Sequence, residues 1–180
     1  LTEQANKDSC EIHAWCLMTN HVHLLISSHG HSSTSSLMKG IGQRYVQYIN
    51  RTYGRSGTLW EGRFRSCLVQ SDSYVLACYR YIEMNPVRAK MVTHPAEYRW
   101  SSYRANAQSE FSHLITPHAQ YLSLGDTDVS TAEVYRELFR SELETGLVEQ
   151  IRAATNGDYV LGGARFAAEI EAMIGRRARR

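Results

Sequence analysis

The chain has 180 residues, twenty Lys/Arg against eighteen Asp/Glu for a formal charge of +2, 43% hydrophobic and 21% charged residues, a balance that excludes disordered and fibrous classes and allows one real core. No apolar run approaches the roughly 20 residues of a membrane span, and the opening Leu1-Thr2-Glu3-Gln4-Ala5-Asn6-Lys7-Asp8 has neither the basic start nor the apolar stretch of a signal peptide. The expected compartment is cytoplasmic, with no membrane partner. Cys10, Cys16, Cys67 and Cys78 form no C-x-x-C pair and read as reduced, packed thiols.

Residues 2–9 are polar and read as the end of a helix or a loop. Glu11 to Met18 is a strand candidate, Thr19-Asn20 a short turn, and the run through Ser27 a second strand, so the two pair as a hairpin. Strand side chains alternate faces, which puts His21, His23 and Leu25 on one side and sends Val22, Leu24 and Ile26 into a core. Two imidazoles roughly 6.5 to 7 Å apart along a strand can converge on one ion, a metal pair in search of a third ligand. The plain alternative is two ordinary histidines on a solvent face, and the spacing by itself does not decide. His13 reads as a surface or edge residue, and Ser28 to Ser36, with His29, Gly30 and His31 among serines, as a flexible connection.

From Ser36, read as an N-cap, Leu37, Met38, Ile41, Tyr45, Tyr48, Ile49 and Thr52 recur at helical spacing up to Gly54 and carry Lys39, Arg44 and Arg51 outward. Thr58 to Val69 reads as a strand or bent ribbon. Asp72 is expected to cap a second helix, from Ser73 to about Asn85, which Pro86 stops. At about 100° per residue, Asn85 lies one turn beyond Tyr81 on nearly the same face, while Tyr79 and Glu83 are about 200° away. Met91-Val92 is strand-like, and Trp100-Ser101-Ser102-Tyr103 closes a first unit. Residues 105–129 read as an irregular linker. The helices expected after it run over 130–145, 147–155 and from 162 or 165 to 174. From Lys39 to Arg104 eleven Lys/Arg meet four acids, a local +7, with Tyr45, Tyr48, Tyr53, Trp60, Phe64, Tyr74, Tyr79 and Tyr81 interleaved. Cations to track phosphates and rings to stack on bases compose a nucleic-acid surface. From Asp126 to Glu171 ten acids meet four arginines, a local −6, before a basic end at Arg176-Arg177-Ala178-Arg179-Arg180.

Four blocks carry a resemblance. Trp15-x-Leu17-Met18-x-Asn20-His21-Val22-His23-Leu24-Leu25, Gly57-Thr58-Leu59-Trp60-Glu61-Gly62-Arg63-Phe64, Tyr81-Ile82-Glu83-Met84-Asn85-Pro86-Val87-Arg88-Ala89 and Trp100-Ser101-Ser102-Tyr103 resemble, in order, the single-tyrosine HUH transposases, closest to the REP-associated branch. The Gly157 to Phe166 segment is similar to a C-terminal extension of many members.

The resemblance implies an α+β, ferredoxin-like catalytic domain, an antiparallel sheet with helices on one face, over 1–104. A linker over 105–129 and a helical extension with a basic tail over 130–180 would follow. It further implies that His21 and His23 bind Mg²⁺ or Mn²⁺, that Asn85 supplies a third ligand, and that Tyr81 is the nucleophile, leaving a 5′-phosphotyrosine on single-stranded or hairpin DNA, repetitive extragenic palindromes included. Backbone contacts are then expected from Lys39, Arg44, Arg63, Arg65, Arg80 and Arg88, in a nucleoid-associated protein. Two rival readings stay open: a domesticated DNA-binding module that does not cleave, and a water-using metal phosphodiesterase. Thr19 stands where the family commonly has proline. The strand and most of the helix expected before Glu11 are missing here, which would leave a pairing edge for a partner strand, a homodimer, or a longer protein.

Overall fold

In the computed structural model, which describes residues 1–29, 33–175 and 177–178, a short helix α1 (Thr2–Lys7) leads into an antiparallel hairpin of β1 (Cys10–Leu17) and β2 (Val22–Ser28). Gly30 and His31 of the expected flexible connection, and Arg176, Arg179 and Arg180 of the expected basic tail, lie outside the described residues. The hairpin register pairs Cys10 with Ser28 and Leu17 with Val22, and slips by one residue between Ile12 and Ala14. That bulge at His13 changes the alternation, because one extra residue turns the following side chains to the opposite face. Ile12 therefore joins Ala5, Cys10 and Leu37, with Trp15 and Ile26 packed beside them, whereas Ala14, Cys16 and Leu25 enter the main core.

Both faces of the hairpin are consequently covered, and the expectation of helices on one face does not hold. α2 (Ser33–Tyr53) and α1 close the Ile12 side, and α3 (Ser71–Glu83) closes the other through Val75, Cys78, Tyr79, Tyr81 and Ile82. Among the described residues the antiparallel sheet has two strands. The expected sidedness of β2 is also corrected. Leu25 is 8% exposed and Val22 38%, so the His23–Leu25 side faces the core beneath α3, where the small Ala14 and Cys16 let the helix approach. The outer edge of β1 is met by two later segments: Leu17 N–H donates to the Trp100 carbonyl (2.8 Å), Ser102 N–H to Trp15 (2.9 Å) and Thr116 N–H to Ile12 (2.9 Å).

The expected ribbon over 58–69 reduces to β3 (Leu68–Val69), which pairs in parallel with β4 (Val160–Leu161). Gly57 and Gly62 adopt φ of 91° and 123°, conformations that interrupt a strand. α3 starts at Ser71 from a Gln70 N-cap, and Asp72 lies in its first turn rather than capping it, where a carboxylate suits the helix dipole. Pro86 does not end the helical path. It sits in the first turn of α4 (Asn85–Arg88), where a missing N–H costs nothing. Met91-Val92 is not a strand; a 3₁₀ turn, Pro95–Glu97, follows it.

The stretch expected to be an irregular linker carries most of α5 (Tyr103–Gln108) and all of α6 (Ala119–Leu122), and it places Ala107 and Tyr121 in the main core. α7 (Asp128–Glu137), α8 (Thr145–Gly157) and α9 (Ala164–Ile174) follow. Tyr135, Ile151, Ala154 and Leu161 join the same core as Ala14, Leu25 and Tyr81. Thr127 caps α7 by accepting from Ser130 N–H, and Gly125 lies against that first turn. A Cβ at Gly125 would stand 2.6 Å from Thr131 N and 2.8 Å from the Ser130 carbonyl carbon. Gly125→Ala should therefore cost about 1–3 kcal/mol, read as a lower urea midpoint with an unchanged m-value.

Candidate active site

The hairpin turn decides where the two histidines stand. Met18 N–H donates to the His21 carbonyl (2.9 Å), which closes the turn and sets His21 just before β2 with His23 one alternation into it. Cys16 lies opposite His23, and its small side chain leaves room for the imidazole. The two rings meet edge to face, with centroids 4.8 Å apart and 87° between planes, and their Nε2 atoms approach to 3.1 Å. His21 Nδ1 lies 2.7 Å from Asn20 Oδ1. Because the amide oxygen only accepts, Nδ1 carries the proton and Nε2 keeps its lone pair toward His23. Burial, then the neighbouring His21 and Arg88, push His23 down to about 4, so this imidazole is neutral at neutral pH. Nitrogen lone pairs on adjacent imidazoles can serve a cation.

α3 brings Tyr81 over this pair. The His23 and Tyr81 rings stand edge to face at 5.8 Å, 86° between planes, and Tyr81 is 9% exposed. Asn85, one turn on, donates Nδ2 to the carbonyls of Tyr81 (3.0 Å) and Ile82 (3.3 Å). Its Oδ1 is thus the atom left for a cation. Among the described residues, no three His, Cys, Asp or Glu side chains gather into a metal-holding group, and the paired donors the structure brings together are the two imidazoles. Imidazoles suit a hard divalent ion only moderately, so an ion held there would draw its remaining ligands from the oxygens of water and phosphate.

The six basic residues separate. Arg88 comes to the site, its guanidinium carbon 4.4 Å from the centroid of the Tyr81 ring and its Nη2 donating to the Tyr81 carbonyl. Arg80 instead donates to the Ser141 carbonyl and lies over Phe139. Arg65 binds Asn156 Oδ1 (2.7 Å), and Arg44 pairs with Glu3 (2.9 Å). Lys39 and Arg63 are exposed.

His13, expected at the surface, is 2% exposed. The bulge turns it inward, where Nδ1 meets the Thr116 carbonyl (2.6 Å) and Nε2 the Ser27 hydroxyl (2.8 Å). Burial pushes its pKa below the ordinary histidine value, and it stays apart from the His21–His23 pair. The four cysteines are free, and burial lifts Cys16 and Cys78 to about 12, which leaves them inert.

On the far side of α3, Glu83 is fully buried and was not anticipated as more than a residue off the Tyr81 face. Its Oε1 accepts from Ser102 Oγ (2.6 Å) and Asn106 Nδ2 (2.7 Å), and its Oε2 from Tyr135 Oη (2.7 Å). Ser102 Oγ in turn accepts from Trp15 N–H (2.9 Å). One carboxyl thereby ties α3 to β1, α5 and α7, holding the helix so that Tyr81 faces His23. The only sequence signal was its place beside Tyr79, about 200° from Tyr81.

A histidine pair at the head of a strand, set beneath a tyrosine on a helix, brings ring nitrogens and a phenol hydroxyl side by side. Residues 1–85 match the family described as transposase IS200 like, a stretch that holds His21, His23, Tyr81 and Asn85. Over those residues, just under half of its length, the chain is similar to the IS200-like transposases. No curated protein and no solved structure matches the chain. Among the described residues no helix is long and apolar enough to cross a membrane.

Proposed function

We propose that this protein cuts and rejoins single-stranded or hairpin DNA through a covalent 5′-phosphotyrosine at Tyr81, with His21, His23 and Asn85 Oδ1 holding Mg²⁺ or Mn²⁺. The observation that carries the reading is the 5.8 Å approach of the His23 and Tyr81 rings, which supports a nucleophile and a ligand pair acting on one phosphate. A tyrosine hydroxyl, with a reference pKa of about 10, needs help at neutral pH. The bound cation would supply it as a Lewis acid that polarises the scissile phosphate.

Tyr81 Oη forms the new P–O bond as the bond from phosphorus to the 3′-oxygen breaks. The phenol proton passes to solvent, and the departing oxygen takes one up as a 3′-hydroxyl. Reversal by another 3′-hydroxyl restores Tyr81 and conserves the phosphodiester energy. Asn20 fixes the His21 tautomer, Arg88 steadies the Tyr81 ring beside the reacting phosphate, and Glu83 keeps α3 in register with the hairpin. Hairpin DNA of the repetitive extragenic kind is the proposed substrate, because the nucleophile must reach an unpaired backbone. The ferredoxin-like arrangement and a homodimer belong to the same proposal.

Incubation of the protein with labelled hairpin DNA and Mn²⁺ should give an adduct that survives denaturing electrophoresis and disappears in Tyr81→Phe. Cleavage that persists in Tyr81→Phe would instead make the protein a water-using phosphodiesterase. Binding without any cleavage would make it a non-cleaving module.

A further inference from the structure

Of the eight aromatic side chains from Tyr45 to Tyr81, Tyr79 and Tyr81 are buried and Tyr74 is half-buried, whereas Tyr45, Tyr48, Tyr53, Trp60 and Phe64 are exposed. All five exposed rings belong to α2 and the loop that follows it, and two of them meet. The Trp60 indole N–H donates to the Gly42 carbonyl (3.3 Å), and the Tyr45 and Trp60 rings stand with centroids 5.7 Å apart and 43° between planes. A Cβ at Gly42 would lie 3.3 Å from Trp60 Nε1, so a glycine, although a poor helix residue, gives the indole its seat. The loop is held to deliver it: Asn50 Nδ2 donates to the Gly57 carbonyl (2.9 Å), and Thr58 Oγ1 accepts from Trp60 N–H (3.1 Å).

The rings stand in solvent because the apolar face of α2 outruns the core it covers. Leu37, Ile41 and Tyr48 fall within about 40° of one another around the helix, yet Leu37 is buried among Ala5, Cys10 and Ile12, Ile41 is half-buried beside them, and Tyr48 is 64% exposed. Exposed apolar surface of this kind marks a place where something binds, and its charge says what. Between Lys39 and Arg65 six Lys/Arg meet one acid, Glu61. Arg44 is held by Glu3 and Arg65 by Asn156, while the guanidiniums of Arg51, Arg55 and Arg63 make no ion pair or hydrogen bond among the described residues. Arg51 lies about 60° round the helix from Tyr48, so open rings and an open cation share one side. A second copy would bring the same positive charge to this face. A polyanion with flat, unpaired bases matches both the charge and the rings.

We propose that Tyr45 and Trp60 form a platform on which an unpaired base of a single-stranded nucleic acid stacks, with Arg51 meeting its backbone. Because the two rings are tilted rather than stacked on each other, and are 48% and 38% exposed, each keeps a face for a base. Phenol and indole stack on any base, so the platform holds a strand without selecting its sequence. That the strand is the one cut at Tyr81 rests on the function proposed above; the platform does not.

The test uses the full chain carrying Tyr81→Phe, so that binding is read without reaction, and titrates it with a mixed-sequence single-stranded oligonucleotide over a range of salt. Trp60→Leu and Tyr45→Leu should each weaken binding about tenfold and leave the slope of log K on log salt at the parent value, since no phosphate contact is lost. Trp60→Phe, which keeps a ring, and Phe111→Ala, which removes a 79% exposed ring elsewhere, should stay within about twofold of the parent. Parent affinity in both leucine variants overturns the platform, as does a parent that binds no single strand. An equal loss in Trp60→Phe also overturns it, because residue 60 would then act through loop packing rather than stacking. Sedimentation of the same proteins reads the rival occupant: a parent dimer that Tyr45→Leu or Trp60→Leu splits into monomers would make this face an interface between copies and overturn the proposal. Ring-dependent binding of the oligonucleotide, with no adduct in the chain that keeps Tyr81, leaves the platform standing and removes the cleavage reading.

Discussion

Glu83→Ala should lower the stability of the protein by at least about 3 kcal/mol, because it strips acceptors from buried donors and leaves a cavity. Ser102 Oγ, Asn106 Nδ2 and Tyr135 Oη all donate to this one carboxyl at 2.6 to 2.7 Å, and its residue is 0% exposed. A buried donor left alone costs about 1–3 kcal/mol, so the loss is a large share of a domain's roughly 5–15 kcal/mol. Tyr135→Phe removes one donor and leaves the acceptor with two others, and should cost about 1 kcal/mol. Urea unfolding of the two variants would decide: a Glu83→Ala midpoint within 1 kcal/mol of the parent, by the same order of estimate, would show that the network does not hold α3.

Glu83 also gives the protein a pH dependence of opposite sign to that of an ordinary paired acid. Burial lifts its pKa to about 7, against the three donors that pull it down. Native Glu83 is thus protonated over a range where the unfolded chain, titrating near 4.5, has lost its proton. Its contribution is fully present below pH 4.5 and declines as pH rises toward 7, at up to about 1.4 kcal/mol per unit. Glu83→Gln cannot titrate. The stability difference between parent and Glu83→Gln should therefore move against the parent from pH 5 to pH 7, and a flat difference would refute the protonated state.

Local regularities reached the hairpin, α2 and α3 because each announces itself within a few residues: alternation around Thr19-Asn20, and helical spacing from Leu37 and from Tyr74. The division of α3 into a Tyr81–Asn85 face and a Tyr79–Glu83 face also follows from helix geometry, and Tyr81 does stand against His23 while Glu83 turns away. What a reading of spacing misses is set at long range. A one-residue bulge at His13 decides which face of β1 meets α3, and across the hairpin His23 is sheltered while Val22 is exposed, the reverse of the side expected. Ser102, Asn106 and Tyr135 lie 19, 23 and 52 residues beyond the Glu83 they serve. Gly57, Gly62 and Pro86 were visible, but their effect depended on backbone angles: two positive φ values where a ribbon was expected, and a first helical turn where a stop was expected.

The second large effect should come from the histidines, and in a graded series. His21→Ala and His23→Ala each remove one imidazole from a two-imidazole set, leaving one ring and the Asn85 oxygen, and should each lower Mn²⁺ affinity and adduct formation by more than 100-fold. Asn20→Ala keeps both rings but frees the Nδ1–H of His21 from its 2.7 Å partner, so the imidazole can rotate or change tautomer. Loss of such an outer partner typically costs about 10–100-fold in metal affinity. Asn20→Ala should therefore fall between the parent and the histidine variants. His21 is exposed and its replacement disturbs no core, whereas His23 lies under Tyr81, so His21→Ala is the cleaner loss of a ligand and His23→Ala should also lower thermal stability. Mn²⁺ binding by electron paramagnetic resonance, with the adduct assay on the same samples, reads both quantities. Equal Mn²⁺ affinity in the parent, Asn20→Ala and His21→Ala would show that the paired rings are packing rather than a cation site. The 3.1 Å approach of their Nε2 atoms would then be an ordinary hydrogen bond between the two rings.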